Sequence, residues 1–460
     1  MSFSSISHAG RRAFLKRSSA LMATGVAAPL AMNLSAISAA AAATATDYKA
    51  LVCVFMYGGN DNYNTVVPYD VNEYGTYARF RGGLATGRGA LANTVLNSLN
   101  GLPDGRQFAF APQLTGMKSL FDQQRLAVLL NVGALIQPTT AAQAIARTVP
   151  LPPKLFSHND QQSVWQSLAP EGSTSGWGGR IGERLLSSNS QEIFTNISVG
   201  GNAVMVSGDQ VASYQMTPSG SVALKSSQGP VYGSGPLSAA IQQLVTSPSD
   251  HLMKQMLSVT AQRSITANTV LSGALQQGPD MQAAFTAQDR LTSQLRMVAR
   301  MIASRDQIGV KRQVFFVGTG DFDNHANLGA YHPTLLSTVD SAMASFYRAT
   351  EELGVAGQVT TFTASEFGRT LTNNGTGTDH GWGSHHMIMG GAVAGQRIFG
   401  TPPQLGDRGP DDAGQGRLVP TTSIEQLAAT LAAWFGLSAT EIAEVLPRIG
   451  NFDQPMLGFV

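Results

Sequence analysis

Six short apolar runs decide what this chain can fold into. Leu51 to Tyr57, Leu126 to Val132, Ile193 to Val199, Val314 to Val317, Val359 to Thr363 and Met387 to Val393 are rich in β-branched residues. Gly, Asn, Asp or Ser bounds each of them, which suits buried strands better than helices. Helical stripes lie between them: Leu291, Leu295, Val298 and Ile302, then Leu336, Val339, Met343, Phe346, Thr350 and Leu353. Thr422-Ser423-Ile424-Glu425 reads as a capping box ahead of the helix Leu427 to Phe435, and Ser438-Ala439-Thr440-Glu441 starts another. Strand alternating with helix predicts an α/β fold, a mainly parallel sheet with helices on both faces. In such a sheet ligands gather beyond the carboxyl ends of the strands.

The first residues read as an address rather than as fold. Arg11-Arg12-Ala13-Phe14-Leu15-Lys16 precedes a weakly apolar stretch from Ser18 to Ile37, and Ala39 to Ala43 offers small-residue cleavage sites. This predicts a twin-arginine signal peptide over residues 1–43, the twin-arginine translocase as a partner, and a periplasmic or secreted destination. A stable membrane span is not expected, because Pro29 and Asn33 interrupt a run that would need about 20 apolar residues. Twin-arginine export carries folded chains, which suits cargo that acquires a metal or cofactor before crossing.

Residues 44–460 then read as one α/β domain, with irregular excursions near 86–106 and 217–238. The single cysteine, Cys53, excludes a disulfide framework and reads as a buried strand thiol. With 13% charged residues and a formal net charge of +1, the chain has no basic stripe for nucleic acid. A small-molecule ester or glycan substrate, or a protein partner, is the remaining expectation.

The loops after the strands carry the chemistry. Leu51 to Tyr57 leads into Gly58-Gly59-Asn60-Asp61-Asn62, a sharp turn presenting Asp61 at the sheet rim. Val314 to Val317 leads into Gly318-Thr319-Gly320-Asp321-Phe322-Asp323-Asn324-His325, and Val359 to Thr363 into Ala364-Ser365-Glu366-Phe367-Gly368-Arg369. The last two strands flank a helix expected over 334–353, so parallel connectivity puts both loops on one edge. Asp323, His325 and Glu366 converging there make a ligand set for a divalent metal ion: zinc, manganese or calcium. Thr378-Asp379-His380-Gly381-Trp382-Gly383-Ser384-His385-His386 is a Gly-rich loop able to deliver His380 to the same rim. Singly, each has an ordinary account: an Asx turn for Asp61, a surface pair with Arg369 for Glu366, a core imidazole for His325.

Ser157, at the expected start of a helix running towards Leu168, occupies an N-cap position where backbone N–H groups favour an anion. A serine there can attack a phosphate or sulfate ester when a metal lowers its pKa, although an ordinary N-cap has the same appearance. Gly82 to Gly89 lacks the Lys-Ser/Thr ending of a phosphate loop, and no Gly-x-Ser-x-Gly elbow stands between a strand and a helix.

Tyr57-Gly58-Gly59-Asn60-Asp61, Asn64-Thr65-Val66-Val67-Pro68, Ser157-His158, Gly176-Trp177, Phe322-Asp323-Asn324-His325, Ser365-Glu366-Phe367-Gly368-Arg369-Thr370 and Thr378-Asp379-His380-Gly381 together resemble a bacterial family, domain of unknown function 1501, whose members typically carry a twin-arginine signal. That family is distantly similar to the alkaline phosphatase and sulfatase superfamily. The resemblance implies an α/β sandwich with metals at the carboxyl edge of the sheet, Asp61 in the place of the first-strand metal carboxylate, and Ser157 in that of the nucleophile. It further implies Asp323, His325 and His380 around one metal, with Glu366 where the superfamily has Asp followed by His. The chain departs from the pattern at Phe367, which replaces that His, and in the tight Asp323-x-His325 spacing, which Asp321 restores to the longer form. The resemblance then implies a single metal, or a second site completed by His158.

The expected activity is that of a metal-dependent hydrolase of phosphate or sulfate esters, with Ser157 as nucleophile and Arg369 neutralising developing charge. Glu366 and Asp61 would hold a second ion. A non-catalytic, metal-stabilised binding protein is the alternative. An oxidoreductase is disfavoured by the lone cysteine and the lack of a dinucleotide fingerprint.

Overall fold

Alternate side chains of the first strand sort into two separate cores. In β1 (Lys49–Met56), Ala50, Val52, Val54 and Met56 pack on one face of the sheet, whereas Leu51, Cys53 and Phe55 pack on the other. A strand apolar on both faces must be covered on both, and the period-2 geometry of the chain decides which residue goes where. The computed structural model describes residues 45–406 and 408–460, of which Asp47–Val460 form one unit. The signal peptide expected over residues 1–43 lies outside the described residues.

The other strands of the main sheet are β4 (Leu126–Gly133), β5 (Asn196–Ser198), β6 (Tyr214–Thr217), β7 (Gly220–Ser221), β8 (Arg312–Thr319), β9 (Val359–Ala364), β10 (Ser384–Met389), β11 (Ile398–Phe399) and β12 (Thr422–Ser423). Their order is β11-β4-β10-β9-β1-β8-β5-β6-β7, with β12 beside β4. A separate antiparallel pair joins β2 (Val66–Pro68) to β3 (Phe108–Phe110). β1 pairs in parallel with both β8 and β9, so the three strands that precede the candidate loops are neighbours with their carboxyl ends on one edge.

Helices Arg290–Ala303 and Leu328–Glu352 cover the first face, burying Leu295, Val298 and Ile302 with Val339, Met343 and Phe346. Helices His158–Ser167, Trp177–Arg184 and Ile424–Phe435 cover the second. Each fully buried Leu, Ile or Phe in these layers contributes about 1.5–3 kcal/mol. The α/β class with a mainly parallel sheet is therefore as the sequence predicts.

Boundaries differ where local signals mislead. The strand expected at Met387 to Val393 runs instead over Ser384–Met389 and is antiparallel to both neighbours. β9 ends at the rim and the chain returns to the sheet from that same rim, so β10 has to run back. The helix expected over 334–353 begins at Leu328, one turn before Pro333, where the apolar stripe gives no cue. Ser423 caps its helix with Gln426 rather than Thr422 with Glu425, while Ser438 and Glu441 form the expected box. Residues 86–106 hold 3-10 turns and no α-helix, whereas the stretch from Gly220 leads through a short helical turn, Lys225–Gln228, into the helices Gly235–Thr246 and Leu252–Gln277. No helix of the described residues is long and apolar enough to cross a membrane.

Candidate metal centre

Loops from the carboxyl rim meet at Asp323. Gly58, at φ +115°, lets the turn after β1 press against the backbone carrying Asp323: a Cβ there would lie 2.4 Å from the Asp323 nitrogen. The segment 368–382 folds back on itself, with Thr370 N donating to Asp379 O at 3.0 Å and Gly381 N to Gly368 O at 2.8 Å. This ladder brings His380 opposite Arg369.

Three imidazoles then surround one carboxylate. His325 Nε2 lies 3.0 Å and His380 Nε2 3.4 Å from Asp323 Oδ1, and His158 Nε2 lies 3.4 Å from Asp323 Oδ2. Candidate ligand atoms of His158, Asp323 and His380 all lie within 4.8 Å of one another. Asp323 and His325 are open to solvent, at 45% side-chain exposure each, so the group sits at an accessible mouth.

The outer nitrogens decide what the inner ones can do. His158 Nδ1 meets Glu366 Oε1 at 2.8 Å, His325 Nδ1 meets Asp379 Oδ1 at 3.2 Å, and His380 Nδ1 meets the Phe156 carbonyl at 2.6 Å. Carboxylate and carbonyl oxygens accept, so a proton on each Nδ1 satisfies these contacts, and a ring in that neutral tautomer presents a lone pair at Nε2. His325 and His380 face one another Nε2 to Nε2 at 2.9 Å. At that distance one ring donates to the other when either Nε2 carries a proton, and two rings protonated only at Nδ1 bring together lone pairs that a cation would bridge. His158 Nε2 is likewise buried without a hydrogen-bond partner. Outward Nδ1–H groups held by oxygens are the arrangement that orients metal-binding imidazoles, so these residues fit a divalent ion.

Charge follows the same geometry. Burial pushes the Asp323 carboxyl up, but the Arg369 guanidinium at 2.8 Å and the adjacent imidazoles prevail and hold it below the usual carboxylate range. The Glu366 hydrogen bond raises the His158 pKa against desolvation, whereas burial lowers that of His380.

Not every expected site residue joins this group. Asp61 is fully buried and both its oxygens accept from Arg81, at 2.6 Å each, so Asp61 is engaged by a guanidinium instead of facing the rim. Glu366 stands behind His158: its Oε1 also accepts from Gly58 N at 2.9 Å and from Gln162 Nε2 at 3.0 Å. The two carboxylates thus have separate partners, and the second site expected of them is not assembled. Arg369 is buried, with its guanidinium donating to Asp323, to the Gly58 carbonyl at 3.2 Å and to Thr378; it braces Asp323 and does not face open space. Ser157 does sit at the N-cap, but its Oγ makes no capping bond and donates to Asp160 Oδ2 at 2.8 Å. His385 and His386 lie inside β10, where burial drives both pKa values to about 3. Phe367 stacks on His380 at 4.7 Å and leans on His158 at 4.9 Å, walling the group.

Sequence reasoning places His158 only as a supplement, and misses Asp379, the Phe156 carbonyl and Arg81. Asp379 adjoins His380 in the sequence, a signal that could have found it; nothing marks the other two.

A family model described as protein of unknown function (DUF1501) matches residues 48–445. Among solved structures, the chain is similar to Ps i-CgsB in complex with k-i-k-neocarrahexaose, at 10% identity over 89% of this chain and 78% of that one, with a TM-score of 0.34. It is similar to the PsFucS1 sulfatase from Pseudoalteromonas sp. at 8% identity over 92% and 76%, with a TM-score of 0.32. A mutant of the alkaline phosphatase PafA is similar at 12% identity over 71% and 64%, with a TM-score of 0.28. No curated protein matches the sequence.

Proposed function

The chain belongs to the DUF1501 family of proteins of unknown function, and from that premise and the chemistry of its rim we propose that it is a metal-dependent hydrolase of phosphate or sulfate esters. One observation carries this reading: His158, His325 and His380 turn their Nε2 atoms towards Asp323 while oxygen acceptors hold every Nδ1–H. His158, Asp323 and His380 would hold the ion, with His325 beside them. The imidazole donors suit zinc, whereas manganese leans on the carboxylate and calcium takes oxygen ligands. When bound, such an ion supplies Lewis-acid stabilisation of ester oxygens.

The rest belongs to the chain's own residues. Ser157 directly precedes His158 and is the candidate nucleophile. Its hydroxyl proton points at Asp160, which is 4% exposed and can accept that proton as Oγ attacks phosphorus or sulfur. The Oγ bond forms, the ester bond breaks, and the leaving alcohol oxygen keeps the electron pair and takes a proton from water. A second water then displaces the group from Oγ; Asp160 returns its proton to Ser157, and the proton of that water passes to solvent. Arg369 acts as a positioning residue, holding Asp323 in register. Export through the twin-arginine pathway, and hence an ester on a small molecule or glycan outside the cytoplasm, completes the proposal.

A second reading keeps the ion without turnover. It is favoured by the engagement of Ser157 Oγ with Asp160 and by Phe367 in place of an imidazole. Metal analysis of the purified mature chain, followed by aryl phosphate and aryl sulfate hydrolysis with and without chelator, separates the two. Metal-dependent turnover lost in Ser157→Ala supports the hydrolase; turnover that survives chelation and His380→Ala removes it.

A further inference from the structure

A groove of about 740 Å³, lined mainly by residues 144–156 with Trp382 and Ala413, shares two chain segments with the metal centre. Residues 154–158 supply Lys154 and Phe156 to the groove and His158 to the centre, and residues 380–382 supply His380 to the centre and Trp382 to the groove. Phe156 is the hinge between them. Its carbonyl accepts from His380 Nδ1, its ring lines the groove, and the Arg417 guanidinium lies 4.6 Å over that ring while donating to His380 O.

That volume is the size of a multi-ring ligand rather than of a lone sulfate or phosphate ion. The lining mixes apolar surface with cationic charge and contains no carboxylate: its charged members are Arg147 and Lys154. Lys154 is shared with Asp160 at 3.3 Å and Glu171 at 3.9 Å, whereas Arg147 is exposed and has no side-chain partner among the described residues. Backbone conformation marks the same stretch. Arg147 is the left-handed C-cap of the helix Ala141–Ala146, at φ 51°, and Lys154 and Phe156 have left-handed φ values of 42° and 72° that turn the backbone along the groove.

We propose that this groove is a subsite for an anionic oligosaccharide, the part of the substrate that does not react. A sugar ring offers an apolar CH face to Phe156 and its neighbours, and a sulfate or phosphate substituent offers the charge that Arg147 leaves unmatched. Calling the occupant a substrate rests on the hydrolase reading above; its binding in the groove does not require turnover.

Titration calorimetry on the full mature chain tests this with four probes: a heparin-derived sulfated hexasaccharide, its desulfated counterpart, a phosphorylated oligosaccharide of similar length and inorganic sulfate. The expected result is binding of the sulfated or phosphorylated chain at least tenfold tighter than that of the desulfated one. Arg147→Glu should abolish the preference and Arg147→Lys should keep most of it, with inorganic sulfate failing to displace the chain. Equal affinity for charged and uncharged chains, or an unchanged preference in Arg147→Glu, overturns the assignment. Hydrolysis of a small aryl ester too short to fill the groove is measured in parallel. Loss of that turnover with the Arg147-dependent preference intact strikes the hydrolase reading and leaves the subsite standing.

Discussion

His325 and His380 point their Nε2 atoms at each other across 2.9 Å while Asp379 and the Phe156 carbonyl occupy their other nitrogens. Residues 55 apart in the chain are held Nε2 to Nε2, an approach that a proton or a shared metal ion would bridge. The mature chain should therefore purify with a divalent ion. Removing it with a chelator should destabilise the fold by roughly 3 kcal/mol when the free ion had stood at about 100 times its Kd. Calorimetric melting before and after chelation reads this shift.

Asp379 and Glu366 orient rings and should tune affinity without setting the fold. Glu366→Gln, behind the ligand His158, is expected to weaken metal binding about 10–100-fold, as loss of an oriented hydrogen bond behind a ligand does, whereas Asp379→Asn, behind the neighbouring His325, is expected to weaken it less. Competition with a metal-sensitive dye measures it, and circular dichroism confirms the fold. Asp379 is the control least coupled to the core, because its side chain is 52% exposed.

The Asp61–Arg81 pair is structural and should behave differently. Both side chains are fully buried, so Arg81→Met leaves an unpaired carboxylate and should cost about 3–5 kcal/mol. Asp61→Asn with Arg81→Met should recover much of that loss. Metal content per folded molecule should be unchanged in the double variant, whereas a substantial fall would return Asp61 to the ligand set.

Buried neutral imidazoles predict acid sensitivity. Burial lowers the His332 pKa from 6.5 to about 4, and those of His385 and His386 to about 3. Between the folded and unfolded values the unfolded chain binds more protons, so stability is fully present above about pH 6.5 and declines as pH falls towards 4. His332 Nε2 meets Asn60 Oδ1 at 2.9 Å. His332→Gln should keep that contact and flatten the slope, which urea unfolding at a series of pH values would show.

The sheet and its rim are legible because β1, β8 and β9 are runs of apolar residues that end in Gly, Asp or Glu, and parallel connectivity sends their loops to one edge. Asp323 and His325 are found that way, and His380 through the Gly-rich loop that carries it. Asp61 looks equivalent to Asp323 in the sequence, since both come after a strand. The difference lies in Arg81, at the end of the helix Val71–Arg81, which no spacing rule ties to the turn after β1. Ser157 and His158 are adjacent, and sequence cannot say which of the two faces Asp323, because that depends on how the helix start is seated. Arg369 reads as a free cation because its partners, Asp323 and Thr378, are brought to it only by the folded-back loop.

The most direct test is X-ray absorption at the metal edge of the purified chain, which reports the coordinating atoms without assuming turnover. The account predicts one bound ion in a mixed nitrogen and oxygen shell with imidazole back-scattering that weakens in His158→Ala and in His380→Ala. A chain without metal under saturating zinc and manganese, or an ion in an all-oxygen shell indifferent to both substitutions, would contradict it.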